Sequence, residues 1–132
     1  MIIHLDTSVL IDILTRTHPL LSAYEATAAA GHRITISTVA LYEWARGPRT
    51  TVELEDRLRF FPDHDIVAFG IVEAQRAGRI YREVGRGRGR EFDIAIAASA
   101  IEQGAALWTV NPDDFKDIPD LQLYVAPRKR LA

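Results

Sequence analysis

Met1-Ile2-Ile3-His4-Leu5-Asp6-Thr7-Ser8-Val9-Leu10-Ile11-Asp12 opens the chain, and its reading decides the fold. Ile2 to Leu5 have the apolar, β-branched character of a short buried strand, with His4 the one polar residue among them. Asp6 follows at once. Thr7 and Ser8 then favour a helix N-cap ahead of the apolar run Val9-Leu10-Ile11, which predicts a helix from about Ser8 to Leu14. A carboxylate at a strand-to-helix junction sits at the strand's C-terminal edge, where open α/β sheets collect their ligands. It also serves as a plain helix cap. On this stretch alone both readings stand.

The same alternation continues along the chain. Pro19 sits where a helix can start, Leu20–Ala30 reads as that helix, and Gly31 ends it. Ile34-Thr35-Ile36 is a second strand. Ser37 or Thr38 caps a helix from Val39 to Arg46, stopped by Gly47-Pro48. Thr50 or Thr51 opens another that ends near Pro62, and Asp65-Ile66-Val67 is a weaker third strand. Residues 70 to 84 are the clearest amphipathic helix, with Ala77, Ile80, Tyr81 and Val84 on one stripe. Phe92 to Gln103 carries Ala or Ile on nearly every face, which implies burial all round, and Gly104 ends it. Ala106–Val110 and Leu121–Val125 read as the last strands, with a turn or short helix at Asn111–Phe115 between them. Strands alternating with helices predict an α/β three-layer sandwich with a mainly parallel central sheet. Right-handed crossovers would gather the strands' C-terminal ends on one side.

Length and composition bound the rest. The 132 residues, 48% hydrophobic and 26% charged, fit one domain, 1–132, with a single core. With no cysteine, disulfides and thiolate metal sites are excluded. No run is long enough to span a membrane, and Asp6 interrupts any signal-peptide pattern, so the expected location is cytoplasmic and no membrane partner is expected. A net charge of -2 gives no global argument for nucleic acid. The arginines nevertheless cluster from Arg76 to Arg90 and again at Arg128 and Arg130, and their forked donors suit phosphate. Ordinary solvated surface explains the same residues. The run Gly85-Arg86-Gly87-Arg88-Gly89-Arg90 reads as a flexible cationic loop.

Acidic residues fall at comparable points of this plan. Asp6 ends the first strand, Glu43 lies in the helix after the second, Asp93 lies in the first turn of the apolar helix, and Asn111 and Asp114 follow the strand ending at Val110. Asp93 is the most telling. The helix N-terminus compensates a carboxylate by up to about 1 kcal/mol, whereas burying one unpaired costs several kcal/mol. A cation or strong partner is therefore expected beside it, unless it merely complements the dipole at the surface. Glu43 alone reads as solvated, and Asp113 and Asp114 alone as turn residues. Together, carboxylates at one sheet edge repel one another, and hard cations such as Mg²⁺ or Mn²⁺ resolve that repulsion. The chemistry of such a cluster is metal-assisted displacement at phosphorus. His4, His18, His32 and His64 lack ligand spacing, and His4 reads as a satisfied or edge histidine. A serine nucleophile elbow, a P-loop and a dinucleotide-binding turn are all absent.

Asp6-Thr7-Ser8 after its strand, then Ile36-Ser37-Thr38-Val39-Ala40-Leu41-Tyr42-Glu43 with Gly47, resemble the first half of a PIN domain. Phe92-Asp93-Ile94-Ala95-Ile96-Ala97-Ala98, Gly104, Leu107-Trp108-Thr109-Val110-Asn111 and Asp114-Phe115 resemble its second half. The order and spacing cover essentially the full length, and the compact size resembles the VapC toxins of type II toxin–antitoxin modules. The resemblance implies Asp6 and Asp93 as the main Mg²⁺ ligands, Mn²⁺ being an alternative, with Glu43 completing an acidic triad. It places a fourth, variable position on Asn111 or Asp114, and Thr7 and Thr109 at hydroxyl positions near the site. It further implies endonuclease action on single-stranded RNA, including structured RNA such as tRNA, a homodimer, and inhibition by a VapB-like antitoxin. Arg86, Arg88 and Arg90 are the expected contacts to RNA phosphate. Exposed residues on the helices at Val39–Trp44 and Val52–Phe61 would offer the dimer or antitoxin face, though core burial explains them equally. A catalytically silent PIN-like module that binds RNA or protein is the rival reading, and an intact acidic triad argues against it. A DNA nuclease or phosphatase stays open, with an aspartyl phosphatase disfavoured because Thr7-Ser8 follows Asp6 where D-x-D is needed.

Overall fold

The computed structural model describes residues 1–15 and 20–127. Pro19, His18, Arg128 and Arg130 lie outside the described residues. Five strands, β1 (Ile2–Leu5), β2 (Arg33–Ser37), β3 (Ile66–Val67), β4 (Ala106–Trp108) and β5 (Gln122–Leu123), form one sheet in the order β3-β2-β1-β4-β5. Every neighbouring pair is parallel, with Leu5 opposite Ile36 on one side and Trp108 on the other. Helices α1 (Thr7–Leu14), α2 (Leu20–Ala29), α3 (Thr38–Ala45), α4 (Thr51–Phe60), α5 (Ile71–Glu83) and α6 (Glu91–Glu102) alternate with the strands. The fold is an α/β three-layer sandwich with a parallel central sheet. The chain lays β1, β2 and β3 down in one direction and then returns through α5 and α6 to place β4 on the free side of β1. That reversal puts a topological switch point at the C-terminal ends of β1 and β4, where open sheets leave a crevice.

Burial follows from this order. Successive residues of a strand face opposite sides of the sheet, yet Ile3, His4 and Leu5 are all fully buried, so both faces of β1 are covered. Ile94 to Ala100 of α6 are buried without a break, as the all-round apolar pattern predicts. The caps are local and legible. Ser37 Oγ accepts from Val39 N at the start of α3, and Thr50 with Glu53 makes a capping box on α4.

Some expectations need correction. The fourth strand stops at Trp108 instead of Val110, because Thr109 turns its hydroxyl to Asp6 and accepts the backbone N–H of Asn111. The last strand is only Gln122–Leu123. Trp44 and Phe61 belong to the core, whereas Tyr42, Val52, Leu54 and Leu58 are exposed, so the two helices named as an interaction face split between both roles. The Gly-Arg segment is a folded connection. Gly87 is buried with its Cα against the Tyr81 ring, where an added Cβ would lie 2.3 Å from Cδ2, and its carbonyl accepts from Arg90 N at 2.9 Å.

His4 is neither at an edge nor fully satisfied. It stands on the central strand with Nδ1 at 2.8 Å from Thr35 Oγ1 and 3.0 Å from Gln103 Nε2, while Nε2 has no partner among the described residues. Gln103 accepts from Thr35 Oγ1 at 2.9 Å and donates to the Ser99 carbonyl, tying α6 to β1 and β2. Burial disfavours the imidazolium and holds the His4 pKa at about 3.

Candidate active site

Asp6 ends β1 at the switch point. Its backbone N–H bonds to the Trp108 carbonyl at 2.9 Å, which locks the end of β1 to the end of β4. Its carboxylate is 5% exposed and is held by three donors: Thr7 N at 2.8 Å on Oδ1, with Ser8 Oγ at 2.8 Å and Thr109 Oγ1 at 2.7 Å on Oδ2. The first of these is the cap of α1. Asp6 therefore caps α1 while standing at the switch point, so the cap reading and the site reading do not exclude each other. Three hydrogen bonds, two from the first turn of α1 and one from Thr109 just past β4, fix its rotamer.

Glu43 comes to the same place from α3. Thr7 Oγ1 donates to Glu43 Oε1 at 2.7 Å, and the Glu43 side chain is only 17% exposed. It does not belong to a solvated helix face. Arg46, one turn on, approaches Oε2 at 3.8 Å while its guanidinium lies over the rings of Tyr42 and Phe92. Thr7 thus bridges the two acids: its N–H binds Asp6 and its hydroxyl binds Glu43.

Asp93 lies in the first turn of α6 and is half-buried. Its pKa is pushed up to about 6, first by burial and then by the negative charges of Asp6, Glu43 and Asp114, with Arg90 partly offsetting them. Four carboxylates therefore share one electrostatic field, and the dipole of α6 is too weak to cancel it.

The two candidates for the fourth position lie on one turn. The short 3₁₀ turn Pro112–Phe115 follows β4, and Asp114 N bonds to the Asn111 carbonyl at 3.0 Å. Both residues are exposed, and the Asp114 carboxylate acts on Asp93 through its charge. Asn111 spends its N–H on Thr109 Oγ1. Of the three arginines, Arg86 and Arg88 are exposed, whereas Arg90 is largely covered and makes a two-pronged pair with Asp117 at 2.7 and 2.8 Å. Ser8 and Asp117 are the participants that sequence reasoning missed. Ser8 stands beside Asp6 and is legible as a second hydroxyl donor. Asp117 meets an arginine 27 positions upstream, and nothing local announces that meeting.

The donor set is all oxygen, which suits a hard divalent cation. Among the described residues no three acidic or histidine side chains converge as a ready-made cage. That arrangement still fits Mg²⁺, which commonly uses one or two carboxylates and keeps several waters.

A profile of the PIN domain family matches residues 3–121. The chain belongs to the PIN domain family. Solved structures share the fold of this PIN domain. One is the VapBC2 complex from Rickettsia felis bound to a DNA fragment from their promoter, at 24% identity and TM-score 0.76, covering 94% of this chain and 98% of that one. A second is DNA-bound VapBC from Salmonella typhimurium, at 19% identity and TM-score 0.76, covering 94% and 97%. A third is VapBC-5 from Mycobacterium tuberculosis, a member of the VapBC family of toxin–antitoxin systems, at 20% identity and TM-score 0.60, covering 92% and 96%. No curated protein sequence matches the chain. Among the described residues no helix is long and apolar enough to cross a membrane.

Proposed function

We propose that this PIN domain is a Mg²⁺-dependent endoribonuclease acting as the toxin of a VapBC-type module. The observation that carries the reading is the half-buried Asp93 carboxyl among the charges of Asp6, Glu43 and Asp114 at the switch point, its pKa pushed up to about 6 by burial first and by those charges second. A mutually repelling set of this kind costs stability and is relieved by a divalent cation. Asp6 and Asp93 would hold the ion, with Mn²⁺ able to replace Mg²⁺. When bound, it supplies a water of lowered pKa and neutralises charge on the scissile phosphate.

The remaining chemistry belongs to the chain. Asp6 is kept in one rotamer by Thr7, Ser8 and Thr109, so its position does not drift as charge develops. Glu43 accepts from Thr7 on Oε1, and Oε2, which Arg46 approaches at 3.8 Å, would orient the attacking water and take its proton. Asp114, on an exposed turn, closes the acidic set from the β4 side. Hydrolysis by water in this arrangement leaves a 5′-phosphate and a 3′-hydroxyl. RNA is the expected substrate, single-stranded or in loops, tRNA included, with Arg86 and Arg88 placed to meet phosphate.

Exposed Val52, Leu54 and Leu58 on α4 support a docking face for a VapB-like antitoxin, and Tyr42 with Phe92 supports a homodimer face. The test uses the purified chain on total cellular RNA with Mg²⁺ or Mn²⁺ against chelator, Asp93→Asn beside it, and sequencing of the new ends. Discrete metal-dependent cuts bearing 5′-phosphates, absent in the variant, are expected. Wild type and variant behaving alike across several metals would remove the mechanism.

A further inference from the structure

The Gly-Arg segment holds one arginine that is committed elsewhere than to solvent. Arg90 is the residue on which α6 begins: its carbonyl accepts from Ile94 N at 2.9 Å. Its side chain leaves α6 and crosses to the turn after β4. There Nη1 donates to Asp117 Oδ2 at 2.8 Å, and Nη2 donates both to Asp117 Oδ1 and to the backbone carbonyl of Asp114, each at 2.7 Å. Nη1 also reaches back to the Arg86 carbonyl at 3.4 Å. Only the planar guanidinium serves this many acceptors at fixed angles; an ammonium on a flexible stem does not. The loop is pinned at its other end, where Gly87 seats on Tyr81 of α5.

We propose that Arg90 is a positioning residue, a strap between the start of α6 and the Asp114 turn that sets where Asp114 stands relative to Asp93. The proposal rests on the reading of these acids as a cation site. Asp93 is three residues into α6 and is fixed by that helix, whereas Asp114 sits on a four-residue 3₁₀ turn on the far side of the crevice. Arg90 is the side chain that joins the two supports by hydrogen bonds to both Asp117 and the Asp114 carbonyl. The strap divides the labour within the run of three arginines: Arg86 and Arg88 remain exposed, and Arg90 is spent on the scaffold.

The sign of one measurement separates positioning from simple charge. Removing a cation beside an acidic site tightens binding of a divalent ion if charge is all that matters, and loosening the site weakens it. Mn²⁺ affinity would be measured by calorimetry for wild type, Arg90→Lys, Arg90→Gln, Asp117→Asn and Asp93→Asn. Thermal unfolding in chelator would run alongside to show that each variant folds. Arg90→Lys keeps the charge and loses the fork, and Asp117→Asn, at a side chain 46% exposed, leaves the arginine in place and removes its anchor. Loss of an outer support of this kind weakens metal binding about tenfold, and that is the expected effect for all three strap variants. In the Asp114→Asn background Arg90→Lys should add less than about twofold, since the strap acts through that turn. Arg90→Lys binding Mn²⁺ as wild type does, Arg90→Gln binding it more tightly, or full multiplication with Asp114→Asn would each overturn the strap. Wild type binding Mn²⁺ no better than Asp93→Asn instead removes the cation site, and the strap's role with it. RNA cleavage gives a second discrimination: a phosphate-contacting Arg90 keeps or gains activity in Asp117→Asn, and a strap loses it.

Discussion

Replacing Asp93 by Asn should make the metal-free protein more stable, an unusual outcome for a residue in a helix first turn. Two effects oppose each other. A first-turn carboxylate gains roughly 0.3–1 kcal/mol from the helix dipole, and Asn forfeits that. Against it stands the pKa displacement from 3.8 to about 6 caused by burial and by Asp6, Glu43 and Asp114. At about 1.4 kcal/mol per unit this amounts to roughly 3 kcal/mol, which solvent screening at a half-exposed group reduces to about 1–1.5 kcal/mol. Burial and repulsion together win, and the net gain is roughly 0.5 kcal/mol, or about 2 °C in Tm for a chain of this size. The pH dependence follows from the direction of the shift. A carboxyl whose folded pKa is raised binds its proton more readily in the native state. Its contribution is therefore most favourable at low pH and is lost as pH rises from 3.8 through about 6. Wild type and Asp93→Asn should melt together near pH 4 and diverge to a plateau above pH 7. The assay is thermal or urea unfolding in chelator across that range, repeated with Mn²⁺. Cation at about 100 times its Kd adds about 2.7 kcal/mol to wild type alone and reverses the order. If the Asn variant is the less stable protein at pH 8 in chelator, Asp93 is an ordinary dipole-complementing residue and the cluster argument fails.

Three further outcomes follow from particular side chains. His4 titrates near 6.5 when unfolded but near 3 in its buried site, so wild type should lose stability as pH falls below 6.5. The loss reaches about 2 kcal/mol by pH 5, and urea midpoints of His4→Gln against wild type should show the variant without that dependence. Gly87→Ala drives a methyl group into the Tyr81 ring and should cost roughly 1–3 kcal/mol. A Tyr81→Ala partner should cancel most of the added cost, and additive effects would show that the ring is not the obstacle. Arg86→Ser with Arg88→Ser should lower the salt dependence of RNA binding by about 0.7 in log–log slope for each phosphate no longer neutralised, with Mn²⁺ affinity unchanged. An unchanged slope would take both arginines out of the interface.

Much of the fold was legible because its signals are local. Periodicity, caps and glycine stops placed α3, α4, α5 and α6 within a residue or two, since each depends on neighbours along the chain. The ends of β4 and β5 were misplaced because apolar composition continues past the point where a distant partner captures the backbone. Thr109 leaves the sheet for Asp6, 103 positions away. The same limit applies to His4, whose full burial depends on the central place of β1 in the sheet.

The sequence by itself determined the parallel α/β plan and singled out the candidate acids, because strand, cap and acid are written side by side at Asp6 and an acid in an apolar helix stands out at Asp93. Tertiary structure alone decided how those acids relate. It turned Glu43 away from solvent and onto the Thr7 hydroxyl, brought the charge of Asp114 to bear on Asp93, and spent Arg90 on Asp117. Each of these depends on a pair separated by 27 or more positions or on a charge acting through space. A local pattern supplies the residue types for such pairs, and only the folded backbone supplies the distance.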